Sequence, residues 1–421
     1  MINLTFQFKL KLTPEQVLEV ERTLEICRKV WNFALAERKD WYRSRKSPVN
    51  ACSIISEYIM PPDAPYPNYA KQCKGLTQAK KQYPELKTVN AQVLQQVLRR
   101  QETAFVDMQR KGSGFPRFKT YNRMRSLYFP QMLKDCLSGI HLKLPQLGKV
   151  EFIKSRDIPE GFEIKQAQVI RKASGYYVNL ALESNGDIPD VPPSGHAIGI
   201  DIGLDKFLAT SEGELVERPK FFNNLHRKLK LLQRRLKNKV KGSNNRKKLN
   251  RKIGRLHETI ADTRKEFHFK LAHHLCDQAG MIFVEDINFR AWAKGMLGKH
   301  TLDAGFGQFF TVLEWVCTQR GIYFAKVNKD FTSQVCPNCD AHTGKKDLKE
   351  RVHSCHECGY TTHRDVAAAQ VVRNRGLSEV GRIFDIKQVA CGGDLTGTGN
   401  SLVKSQRDRK KGGETRFKPV S

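Results

Sequence analysis

The chain has 421 residues, enough for two or three compact units with cores of their own. Its 73 Lys and Arg against 43 Asp and Glu leave a net charge of +30, far beyond the ~2–8 charges that keep a small domain soluble, so a polyanionic partner is expected and nucleic acid leads. The start, Met1-Ile2-Asn3-Leu4-Thr5, lacks a basic block followed by an apolar one, and no stretch nears the ~18 apolar residues of a membrane span; a soluble intracellular protein with no membrane partner is expected.

Leu4, Phe6, Phe8, Leu10 and Leu12 alternate with Thr5, Gln7, Lys9 and Lys11, which predicts a half-buried strand. A helix follows at once. Thr13 can cap it, Pro14 suits its first position, and Gln16 completes a reciprocal capping box. Helices are predicted as far as Met108, broken around Pro61, Pro62, Pro65 and Pro67. A strand-rich stretch over 118–183 then holds two hairpins. One carries Ile140, Leu142, Leu144, Val150 and Phe152; the other carries Val169 and the alternation from Tyr177 to Leu182, around a Ser174-Gly175 turn. The opening strand and these later strands suggest one small β domain carrying a helical insertion. Pro189, Pro192, Pro193 and Gly195 mark the boundary after it.

Beyond the boundary, Ala197-Ile198-Gly199-Ile200-Asp201-Ile202-Gly203 is an apolar run with one carboxylate inside it. That is a costly place for a charge unless a cation or several donors meet it. Further strands are predicted over 207–210, 281–284 and 322–327, with a helix over 307–320 before the last of them. A final helix opens at Asp365 and ends at Arg375, before Gly376.

Asp201 inside the first of these strands, Glu285 ending a middle one and Asp365 heading the last helix are what an RNase H-like nuclease requires. Such an enzyme holds two divalent ions about 3.5–4 Å apart with hard oxygen ligands. Asp201 would bridge two magnesium ions, and Glu285 and Asp365 would each complete one shell. One ion then activates water while the other stabilises the leaving 3′ oxygen. Taken singly, Glu285 reads equally well as a solvated strand end and Asp365 as a helix N-cap; the order and context of all three favour the nuclease. An actin-like phosphotransferase also ends its first strand in an Asp-x-Gly turn. It needs glycine-rich phosphate loops, however, and Gly392-Gly393 and Gly397-Thr398-Gly399 lack the strand-turn-helix surroundings.

Cys336-Pro337-Asn338-Cys339 and Cys355-His356-Glu357-Cys358 are separated by fifteen residues. Two such knuckles supply the four thiolates of a closed, structural zinc site. His353 and His356 lie near enough to replace one, and a pair of redox motifs fits the spacing poorly. The other seven of the 11 cysteines read as buried apolar thiols rather than a disulfide framework.

Residues 225–255 hold fourteen Lys and Arg and no acid. Leu225, Leu229, Leu232 and Leu236, then Leu249, Ile253, Leu256, Ile260, Phe267 and Leu271, keep a helical period on either side of Lys241-Gly242-Ser243. This predicts a helical hairpin, apolar on one side and cationic on the other, in preference to a disordered basic tail. Arg227, Lys228, Arg234, Arg235, Arg246, Lys247 and Arg251 are its candidate nucleic-acid contacts.

Several motifs recur together in one known order. They are Phe8-Lys9-Leu10-Lys11-Leu12-Thr13-Pro14-Glu15-Gln16, Gly114-Phe115-Pro116-Arg117-Phe118-Lys119 and Leu142-Lys143-Leu144-Pro145-Gln146-Leu147-Gly148, followed by the Asp201 run, Val284-Glu285-Asp286-Ile287-Asn288, Thr332-Ser333-Gln334-Val335-Cys336 and His363-Arg364-Asp365. In these the chain resembles TnpB, a family of RNA-guided DNA endonucleases encoded by bacterial and archaeal insertion sequences and related to type V CRISPR effectors. The pattern departs at His363 and Ala367, where Asp and Asn are typical, and at Asp340, where Gly is common.

The resemblance implies an α+β multidomain fold. A β-barrel-like wedge domain would comprise 1–12 and 112–190, with a helical recognition domain at 13–111 inserted in it. An RNase H-like RuvC α/β nuclease domain would span 196–375, its basic hairpin at 225–278 and an inserted zinc ribbon at 330–362; beyond the resemblance, the glycine-rich residues 376–421 read as a flexible tail. It further implies two catalytic Mg²⁺ (or Mn²⁺), one structural Zn²⁺, a guide RNA, double-stranded target DNA with a short adjacent motif, and residence at the nucleoid of a prokaryotic cytoplasm. A cleavage-deficient RNA-guided DNA-binding protein, or a transposase accessory factor, is the alternative, and the intact acids count against it.

Overall fold

A computed structural model describes residues 2–46, 63–121, 123–184, 191–347 and 349–391. Pro61, Pro62, Pro189 and the glycine pairs beyond residue 391 lie outside them. Among the described residues no helix is long and apolar enough to cross a membrane.

The chain opens with β1 (Ile2–Lys11), which buries Phe6, Phe8 and Leu10 and exposes Thr5, Gln7, Lys9 and Lys11. Among the described residues three α-helices follow, α1 (Pro14–Lys46), α2 (Tyr69–Gln82) and α3 (Ala91–Lys111). Six strands come next: β2 (Ser126–Phe129), β3 (Leu137–Ser138), β4 (His141–Leu144), β5 (Gly148–Ile153), β6 (Glu163–Lys172) and β7 (Gly175–Ser184). They join β1 in a seven-stranded sheet of order β2-β6-β7-β1-β5-β4-β3, antiparallel throughout. Among the described residues the sheet ends in two short edge strands, β2 and β3, that do not pair with each other.

Its buried side is covered by α1 and α3, with Leu24, Cys27, Trp31, Leu94 and Leu98 packing on Phe8, Phe152 and Leu180. The capping box forms: Thr13 N donates to Gln16 Oε1 at 3.1 Å and Gln16 N to Thr13 Oγ1 at 3.2 Å. The Gln16 amide also donates to the carbonyls of Leu147 and Lys149, which pins the start of α1 to the β4–β5 turn.

A second sheet contains β8 (Ala197–Ile202), β9 (Lys206–Thr210), β10 (Leu215–Glu217), β11 (Met281–Glu285) and β12 (Tyr323–Val327). Its order is β10-β9-β8-β11-β12, with β8, β11 and β12 parallel. Between β10 and β11 stand α4 (Phe221–Lys237) and α5 (Asn244–Gln278), an antiparallel hairpin. After β11 come α6 (Phe289–Lys294), α7 (Gly298–Ala304) and α8 (Phe306–Arg320). A small hairpin of β13 (Val352–Ser354) and β14 (Thr361–His363) leads into α9 (Arg364–Cys391). One face of the sheet, with Ile198, Ile200 and Ile202, packs on Leu271 and Leu275 of α5 and Phe309 and Leu313 of α8. The other face packs on α9.

Strand and helix approach so closely on that second face that two glycines are required. A Cβ on Gly199 would lie 2.1 Å from the Ala369 carbonyl oxygen, and one on Gly376 would lie 2.2 Å from the Phe283 ring. Gly376 therefore does not end the helix, as its position after a helical run suggests. The helix continues to Cys391, and the flexible tail expected from 376 is instead helical to that point, with Val380 buried in the core. Residues 392–421 lie outside the described part.

Helix α5 of the second unit touches the first at the β6–β7 turn. Glu258 accepts from the backbone N–H groups of Ala173 and Ser174 at 2.6 and 3.1 Å, and Gly254 leaves no room for a Cβ beside Ala173.

Candidate active site

The parallel register fixes the first two acids. Ile200 pairs with Val284, so Asp201 and Glu285 are the next residues on adjacent strands, at the same end of the sheet and on the same face. That face is the α9 face, since Gly199, two residues before Asp201, touches the helix. Asp365 lies one helical turn before Ala369, the residue that crosses Gly199, so two steps along the strand and one turn back along the helix both lead to the same rim.

Electrostatics ties the three together. Desolvation pushes the Asp201 carboxyl well above the ordinary carboxylate range, and the charges of Glu285 and then Asp365 push it further; Arg364 and the backbone N–H of Ile202 oppose them. Burial likewise raises Glu285, which is 7% exposed, against a hydrogen bond from Thr332 and the nearby charges of Arg375 and Lys329. The Thr332 hydroxyl donates to Glu285 Oε1 and turns that oxygen toward the chain after β12. Asp365 is partly buried, and its backbone N–H donates to His363 Nδ1 at 3.2 Å. The three carboxyl groups do not all close to within 4.8 Å of one another; among the described residues only the four cysteines form a group that tight.

Those cysteines are Cys336, Cys339, Cys355 and Cys358, and they could hold a metal ion. The Cys336–Cys358 and Cys339–Cys355 sulfurs are 3.7 and 3.6 Å apart. A tetrahedron of Zn–S bonds of about 2.3 Å requires sulfurs about 3.8 Å apart, and these two separations match it. Each knuckle closes the same way: Asp340 N donates to Cys336 O, and Gly359 N to Cys355 O, both at 3.0 Å. Both residues carry positive φ, 57° for Asp340 and 72° for Gly359, a backbone state that glycine adopts without strain and a residue with a Cβ does not. His353 is buried beside Tyr360 and Lys346, and His356 is exposed; neither belongs to the thiol group.

The knuckle region is fastened to the acid-bearing helix. Asn374 donates to Pro337 O at 2.8 Å, Arg375 to Asn328 O at 2.7 Å, and Arg364 to Asp347 O at 2.8 Å. Thr332 thus sits four residues before Cys336, between the thiol cluster and Glu285.

The basic hairpin turns at 238–243, and Ser243 caps α5 by accepting from Arg246 N. Arg227, Lys228, Arg234, Arg235, Lys247 and Arg251 are exposed. Arg246 is only partly so: its guanidinium donates to the carbonyls of Leu236 at 2.9 Å and Lys239 at 2.8 Å, closing the end of α4. It serves the hairpin itself, unlike the other candidates.

Thr332, Lys329 and Arg375 stand in no local sequence pattern that assigns them chemistry. Thr332 stands in one of the family motifs, which is the available pointer; Lys329 and Arg375 act through long-range proximity that no local pattern displays.

Residues 179–295 match a family described as a probable transposase, 306–372 a Cas12f1-like TNB domain, and 1–47 a helix-turn-helix domain, although the described residues there form one strand and one unbroken helix. A putative RNA-guided DNA endonuclease of Streptomyces pristinaespiralis is 30% identical over 426 aligned positions, 98% of each chain. The putative RNA-guided DNA endonuclease InsQ of Escherichia coli (strain K12) is 30% identical over 88% of this chain and 92% of its own. A solved Cas12f1 complex with sgRNA and target DNA aligns at 17% identity and a TM-score of 0.32, over 89% of this chain and all of that one.

Proposed function

Because the chain belongs to the TnpB family, we propose that it is an RNA-guided DNA endonuclease of an insertion sequence, cutting phosphodiester bonds in a RuvC-type, RNase H-like domain over 196–375. The observation that carries the catalytic reading is Asp201: its carboxyl lies beside Glu285 by strand register and feels the charges of both Glu285 and Asp365.

Asp201 would hold two magnesium or manganese ions, with Glu285 and Asp365 each holding one. When bound, the ions supply an activated water and stabilise the leaving 3′ oxygen. The chain's own residues prepare that arrangement. Thr332 orients one Glu285 oxygen, while Arg364, Arg375 and Lys329 offset part of the cost of gathering negative charge before ions arrive. Cys336, Cys339, Cys355 and Cys358 would bind one structural zinc in a ribbon over 330–362.

Residues 1–12 and 112–190 would form the wedge and 13–111 the recognition domain, gripping a guide RNA and the duplex beside a short adjacent motif. Base pairing with the guide would then read sequence, and the cations of α4 and α5 would hold phosphates whatever the bases. Replacing Asp201→Ala should abolish Mg²⁺-dependent cleavage and leave RNA binding intact; a variant that cuts normally removes Asp201 from the mechanism. Sequencing of copurifying RNA should return one discrete species with a variable end, whereas random fragments would indicate an unguided nuclease.

A further inference from the structure

Beside Glu285 a cleft of about 390 Å³ opens between the end of β11, α6 and the segment after β12, bordered by Trp292, Lys329, Asp330, Phe331 and Gln334. Trp292 and Phe331 are large aromatic residues left 38% and 60% exposed at its edge. Phe331 holds a left-handed backbone, φ 58° and ψ 18°, an uncommon state for a bulky residue and one that surroundings must enforce. The same turn seats Thr332 on Glu285, so the conformation that orients the acid also sets Phe331 at the cleft. Trp292 is held from the other side: Asn288 caps α6, and the indole packs edge-on against Phe289 and Phe306, with centroids 6.0 and 6.3 Å apart. Phe331 meets the His342 ring edge-on at 5.8 Å, which leaves its exposed surface unstacked.

We propose that this cleft is a nucleobase subsite: Trp292 and Phe331 stack an unpaired base of the DNA strand being cut, next to the scissile phosphate, and Lys329 meets the adjoining phosphate. The proposal rests on the nuclease reading and adds where the strand lies. A duplex hides base faces, so the subsite accepts single-stranded DNA and tolerates any base, as aromatic stacking does. Asp330 repels a phosphate, which sends the backbone to the Lys329 side. Gln334 has donor and acceptor groups for a base edge.

The test uses the full-length protein in Ca²⁺ with a short oligothymidylate carrying a single 2-aminopurine, whose fluorescence is quenched on stacking. Wild type should quench it at saturation. Trp292→Leu and Phe331→Asn, the latter keeping a residue that tolerates positive φ, should lose most of the quenching and weaken binding about fivefold or more. Unchanged quenching in both variants overturns the proposal. Should Phe331→Asn fail to fold, Trp292→Leu alone decides. Cleavage is assayed separately in Mg²⁺: wild type that cuts without quenching sinks the subsite and spares the nuclease. Quenching that depends on Trp292, in a protein that never cuts, sinks the nuclease and spares the site.

Discussion

The Thr332 hydroxyl donates to Glu285 Oε1 across 47 residues of sequence, joining the turn after β12 to the end of β11. This bond lowers the Glu285 pKa against the burial that raises it, so it favours the ionised form a metal needs. Thr332→Val keeps the shape and removes the donor. A hydrogen bond to a charged group contributes about 1.5–3 kcal/mol, so cleavage should fall about tenfold or more and the Mg²⁺ concentration for half-maximal rate should rise. Thr332→Ser should restore most of both. Mg²⁺ titrations of the three proteins settle it, and a valine variant with wild-type kinetics would mean that the hydroxyl does not serve the acid.

What local pattern can and cannot disclose follows from the physics of each feature. The alternation of Phe6, Phe8 and Leu10 has a period that a half-buried strand satisfies, and Thr13 with Gln16 forms a cap within one turn, so both are legible in sequence. Gly376 misleads because a glycine after a helical run looks like a stop signal, whereas its purpose is to admit the Phe283 ring, a meeting of elements far apart in sequence. The candidate acids stand out because each carboxylate interrupts or ends an apolar run or heads a helix. Thr332, Lys329 and Arg375 do not, since their effect on Glu285 exists only once β11, β12 and α9 are assembled. Arg246 looks like its cationic neighbours in sequence, and only its two carbonyl partners set it apart.

Metal analysis of purified protein should return about one zinc per chain, as four thiolates close a tetrahedral shell. Cys336→Ser should lose it. Because Thr332 is four residues away and Asn374 of α9 is bonded to Pro337, cleavage should fall together with zinc occupancy while Arg234 and Arg235, remote on α4, continue to bind nucleic acid. Folded, active protein without zinc would overturn the assignment.

Among the cations of the hairpin, exposed and committed side chains should behave differently. Replacing Arg234, Arg235, Lys247 and Arg251 by Gln should weaken nucleic-acid binding and flatten its salt dependence, by about 0.9 in log–log slope for each duplex phosphate that is no longer neutralised. Arg246→Gln should instead lower thermal stability, because the Leu236 and Lys239 carbonyls lose their donor, with a smaller change in slope. Binding isotherms over a salt series, read beside melting curves, separate the two classes; equal slopes for the fourfold variant and wild type would move the binding surface elsewhere.

His268 provides a test of pH dependence away from the proposed metal site. Its ring is fully buried among Phe207, Phe221, Phe267 and Phe309, with Nε2 within 3.0 Å of the Ala304 carbonyl oxygen, and burial lowers its pKa from 6.5 to about 4. The unfolded chain therefore takes up a proton below about pH 6.5 that the folded protein refuses until about pH 4, so unfolding gains a proton in that window. The contribution to stability is fully present above the window and is lost as pH falls through it, to an order of about 3 kcal/mol. His268→Gln can still donate to the Ala304 oxygen but does not titrate. Its urea midpoint should fall less steeply than that of wild type between about pH 7 and pH 5. Parallel slopes for the two proteins would show that the imidazole charges within the folded core, against the neutral ring inferred from its aromatic surroundings.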